Sequence, residues 1–150
     1  MSGYNEEAYK AARDSAIALP CPFERALLSR CAECHRARRL LLAEREAISC
    51  TEAGANADCR ALHRALHVNA RFALHIGAEQ PWPFGKEIRA QCGGMLGLRG
   101  ALDEDDDRSP DIGRLVERAL QVYGTVDAFP YSRIMRDVAH YQPRRRRGEK

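Results

Sequence analysis

The chain has 150 residues, is 30% charged and carries a formal net charge of only +3, a length that suits one domain with a buried core. Alanine, leucine, arginine and glutamate are abundant while strong strand formers are few, which favours helix. No apolar stretch approaches a membrane span, and the polar start from Met1 to Lys10 is not a secretory leader, so the expectation is a cytoplasmic protein without a membrane partner.

Residues 5–18 read as a helix with Ala8, Ala12, Ala16 and Leu19 near one face, closed by Pro20 and Pro22. Those prolines hold Cys21 in a stiff corner. A short helix is expected over Phe23–Leu28. From His35 to Ser49, Ala37, Leu40, Leu41, Ala47 and Ile48 fall at helical spacing with charges between them, which predicts a helix. Gly54 and Asn56 mark a polar turn. A second helix is expected from Asp58 to Ile76, making an antiparallel helical hairpin with the first.

Pro81, Trp82, Pro83 and Phe84 mark a loop and Lys86–Gln91 a short helix, followed by the glycine-rich Cys92-Gly93-Gly94. Asp103, Glu104, Asp105, Asp106 and Asp107 form an acidic run. Ser109 suits a helix N-cap with Pro110 in the first position, Gly124 ends that helix, and a last helix runs from Tyr131 to His140. The fold expected is therefore all-α: one helical-bundle-like domain over residues 1–142 around the hairpin at 35–76, followed by a disordered basic tail at 143–150.

Six cysteines in a reducing compartment point to metal binding, redox chemistry or small buried side chains. A helix from His35 to Cys50 would be roughly 24 Å long at 1.5 Å per residue, which separates Cys34 from Cys50. The first group is then Cys31 and Cys34 with Cys21 and Cys92. A helix start beside Cys34, with Arg30, Arg36 and Arg38 nearby, favours thiolates, and the glycines after Cys92 allow backbone to approach sulfur. Four thiolates suit an iron–sulfur cluster of the 4Fe-4S kind, with zinc as the alternative; His35 or His75 are substitutes for Cys21 as fourth ligand. A second, weaker group is Cys50, Cys59, His63 and His67, with the last three at i, i+4, i+8 on one helical stripe. Cys31-Ala32-Glu33-Cys34-His35 also matches the haem-attachment string, but without an export segment covalent haem is not expected.

These residues predict a cysteine-ligated iron–sulfur protein acting in electron transfer, redox sensing or cluster handling, rather than an enzyme, with a redox or protein partner. The competing readings are a zinc-stabilised interaction module and a metal-free thiol redox protein. The zinc module would bind an acidic partner or nucleic acid through Tyr131, Arg133, Arg136 and the tail arginines Arg144, Arg145, Arg146 and Arg147. No phosphate loop, nucleophile elbow or paired catalytic carboxylates are present.

Overall fold

Residues 37–50, expected as helix, fold as a β-hairpin in the computed structural model, which describes residues 6–42, 44–104 and 108–142. Strand β1 (Ala37–Leu42) pairs antiparallel with β2 (Arg45–Cys50), with Ala37 opposite Cys50 and Leu42 opposite Arg45. Glu44, with φ of 66°, takes the left-handed conformation at the turn. The apolar residues of this segment do not share one buried face. Ile48 enters the main core, while its neighbour Ala47 packs with Tyr9 and Ile17 on the other side, as strand geometry dictates. Leu40 and Leu41 are exposed, so the apolar stripe that suggested a helix is not a single packed face.

Tertiary hydrogen bonds hold β2 in place. Cys21 N–H donates to Ile48 O at 3.0 Å and Cys50 N–H to Leu19 O at 2.8 Å, so the proline corner lies along the strand. The buried Glu24 carboxylate accepts from Ile48 N–H at 3.1 Å and from Arg13 at 3.2 Å. These satisfied bonds outweigh the modest helix preference of a sequence such as Leu-Leu-Ala-Glu-Arg.

Around the hairpin the described residues are mostly helical. They include α1 (Glu6–Ala16), α2 (Glu24–Leu28), α3 (Ala53–Ala73), α4 (Phe84–Ile88), a π-helical turn (Arg89–Gly93), α5 (Gly94–Ala101), α6 (Ile112–Tyr123), a 3-10 turn (Val126–Ala128) and α7 (Tyr131–His140). The all-α bundle with a central helical hairpin is thus corrected to a mostly helical fold with a two-stranded antiparallel sheet. Helix α3 begins five residues earlier than expected, at Ala53 rather than Asp58. Asn56, read as a turn former, is instead buried inside it and donates to Pro20 O at 3.0 Å.

Helix α3 brings Leu62, Leu66 and Ala70 to the core, facing Met95 and Leu98 of α5 and Ile134 and Val138 of α7. Burial of each large aliphatic contributes roughly 1.5–3 kcal/mol. Cys92-Gly93-Gly94 does not break the chain, because the helix runs on through the π turn. A Cβ at Gly93 would lie 2.7 Å from Val138 Cα, so the glycine serves close packing against α7 rather than a turn. Helix α6 starts at Ile112, capped by Asp111 rather than Ser109. No described helix is long and apolar enough to cross a membrane. Residues 105–107 of the acidic run and the tail 143–150 lie outside the described residues.

Candidate functional site

Four cysteines from four stretches of chain converge on one small cavity of about 20 Å³. Cys21, Cys34, Cys50 and Cys59 line it together with Arg36, Ile112 and Gly113. Backbone pairing explains the convergence. The corner at residues 19–21 runs beside β2 and brings Cys21 to Cys50. Glu33 N–H donates to Pro110 O at 2.8 Å and Ile112 N–H to Glu33 O at 2.7 Å, a parallel bridge that seats Cys34 at the start of α6. Cys59 lies in the second turn of α3, which follows β2 after two residues.

The backbone N–H groups of Arg36 and Gly113 act on the Cys34 thiol, opposing the effect of its burial. A Cβ at Gly113 would come within 3.2 Å of that sulfur, so glycine lets the thiol approach the helix end without displacement. Asp111 secures the same corner. Its carboxylate caps α6 by accepting Arg114 N–H at 3.1 Å and also accepts His35 N–H at 3.0 Å. Arg36 stands at the cavity wall, bonded to Glu52 and Glu117 at 3.0 Å each.

Burial pushes the Cys59 thiol up to about 12, and the nearby Cys34 and Cys50 sulfurs push the same way. Cys21 is raised chiefly by burial against one opposing Phe23 N–H bond. Burial also raises Cys34, but the Arg36 and Gly113 N–H groups oppose it. Without a metal these three thiols stay protonated near neutrality and are poor nucleophiles. A bound cation reverses that balance by stabilising the thiolates.

Cys31 and Cys92 are elsewhere. They form a disulfide that joins the loop after α2 to the π turn. The expected quartet of Cys21, Cys31, Cys34 and Cys92 is therefore divided between two places, and the 24 Å separation of Cys34 from Cys50 disappears with the helix on which it rested. The second expected group is divided as well. Cys50 and Cys59 face Cys34, whereas His63 and His67 turn to Glu87, a residue the sequence reading passed over because nothing local ties α4 to α3.

Among the described residues, the sets of three or more potential ligand atoms within 4.8 Å of one another are Cys34–His35–Asp111 and His63–His67–Glu87. No three of the four converging thiols are that close. The cysteines and these groups are consistent with metal binding or thiol redox chemistry. No protein-family model, curated protein or solved structure matches this chain.

Proposed function

We propose that the protein is a cysteine-ligated metal protein in which Cys21, Cys34, Cys50 and Cys59 hold an iron–sulfur cluster, serving electron transfer or redox sensing. The observation that carries this reading is the convergence of four thiols from separate chain segments on one cavity. An all-sulfur set without histidine suits such a cluster. The spread of the thiols supports it too, since sulfurs on one tetrahedral zinc lie about 3.8 Å apart given a Zn–S bond of about 2.3 Å. The backbone N–H groups of Arg36 and Gly113 that oppose burial at Cys34 are the kind of group that tunes a cluster's potential.

The size of the void favours a second reading. About 20 Å³ admits a single ion, so structural zinc is the alternative, reached by small inward rotations of the four thiols. A cluster requires the lining side chains to turn outward instead.

Anaerobic purification followed by iron, sulfide and zinc analysis with an absorption spectrum separates the two. Iron with acid-labile sulfide and visible charge-transfer bands is the expected result. One equivalent of zinc in a colourless protein would replace the cluster by the structural ion. Neither metal would reject the site and leave thiol redox chemistry.

A further inference from the structure

His63 and His67 lie one turn apart on α3, and both present Nε2 to the same carboxylate. His63 Nε2 is 3.1 Å from Glu87 Oε2, and His67 Nε2 is 3.0 Å from that oxygen and 2.9 Å from Oε1. Gln91 Nε2 donates to Oε2 as well, at 2.7 Å. Three nitrogens thus converge on one carboxylate, His63 and Gln91 on Oε2 and His67 nearest Oε1. For all three contacts to be hydrogen bonds, both imidazoles must carry their proton on Nε2.

A metal ion fits the same convergence, because each imidazole then offers a lone pair instead of a proton and all three ligand atoms lie within 4.8 Å of one another. The separations suit it: ligands at about 2.1 Å from one ion and at right angles to one another are about 3.0 Å apart. The surroundings are built as a ligand shell is built. Gln91 is almost fully buried, and its Oε1 is fixed by Ala26 N–H at 2.9 Å, so it orients Glu87. The Trp82 ring stacks on His67 with centroids 4.0 Å apart, which fixes that imidazole's plane. His63 and Glu87 open onto a cavity of about 560 Å³, shared with Cys21, Trp82 and Phe84.

We propose that His63, His67 and Glu87 form a two-histidine, one-carboxylate site for a divalent transition-metal ion of the Fe(II), Mn(II) or Zn(II) class, separate from the four-thiol cavity and open to this larger pocket. Three protein ligands leave coordination positions for water or a small ligand. Arg64 stands where the helix of a zinc protease carries its general-base glutamate, so the site is not that of a metalloprotease.

The test uses the full chain and Mn(II), a hard ion that avoids thiolates, and reads the additional broadening on Mn(II) titration relative to the same sample before addition, so whatever the cysteines hold is subtracted. Mn(II) broadens the NMR signals of nuclei near it. Of the five histidines, followed by their assigned side-chain signals in the wild-type protein, His63 and His67 should broaden at the lowest Mn(II). Equal broadening of all five, no broadening, or His35 responding first would overturn the proposal. Glu87→Gln and His67→Ala should each weaken Mn(II) binding by more than about tenfold, at or beyond the effect of losing an outer-shell partner, with helical circular dichroism unchanged. Folded variants that bind as well as wild type would also overturn it. Where a variant does not fold, the wild-type broadening pattern decides.

Discussion

A Cβ added at Gly113 would lie 2.9 Å from His35 Cε1, 3.2 Å from Cys34 Sγ and 3.2 Å from an Arg36 guanidinium nitrogen. None of the three moves freely. His35 is tied to Asp111 and Arg36 to two glutamates, while Cys34 is packed against the core. Gly113→Ala should therefore destabilise the fold by about 1–3 kcal/mol, the usual range for overpacking, and lower metal retention by displacing Cys34. Gly85→Ala is the control, since a methyl there meets nothing within 4 Å. Urea midpoints and metal content of the two variants check this, and equal behaviour would mean that Gly113 is not needed for close approach. At this scale the sequence was partly legible. The pair Cys31 and Cys34 marks the loop that carries Cys34, and the structure places a glycine, Gly113, beside that sulfur. Sequence alone assigns that role to Gly93 and Gly94, which pack against α7 and Leu66, because the partner of Cys34 lies nearly eighty positions away with no local mark.

The elements most at odds with sequence reading are β1 and β2. Their apolar residues fit a helical period over a short window, and short apolar runs do not distinguish helix from strand. What decides is long-range: the pairing with residues 19–21 and the carboxylate of Glu24. By contrast α6 and α7, each bounded by proline or glycine signals, fall close to their expected spans. The Cys31–Cys92 disulfide joins elements that are 61 residues apart. Closing a loop of that length removes about 4 kcal/mol of unfolded-state entropy on the chain-entropy account. Reduction should lower stability by up to that amount, read as a shift of the urea midpoint between oxidised and reduced samples. The Cys31→Ser, Cys92→Ser double variant should show no such shift. If wild type is equally insensitive to reductant, the pair is not a bond in solution. Each sulfur also has a neighbour suited to the thiol form, Ala26 O at 3.5 Å from Cys31 and Ser29 Oγ at 3.7 Å from Cys92, so reduction leaves neither buried without a contact.

Across the whole molecule, the four converging thiols come from separate parts of the chain: the proline corner, the loop before β1, the end of β2 and the start of α3. A metal held there closes several chain loops at once, so its binding energy adds to folding energy. Serine replacement partitions the six cysteines by position. Cys50→Ser and Cys59→Ser should each strip or loosen the metal and lower the melting temperature. Cys92→Ser should leave the metal in place and act only through the lost disulfide. The reason is topological: Cys59 follows Cys50 by nine residues and faces Cys34 across the cavity, whereas Cys92 is bonded to Cys31 in another part of the core. Chelation of the wild type should then reproduce the melting temperature of Cys50→Ser but not that of Cys92→Ser. The opposite pattern, with metal lost from Cys92→Ser and kept in both Cys50→Ser and Cys59→Ser, would show that the ligands surround Cys31 and that the four-thiol cavity is only a patch of small buried side chains.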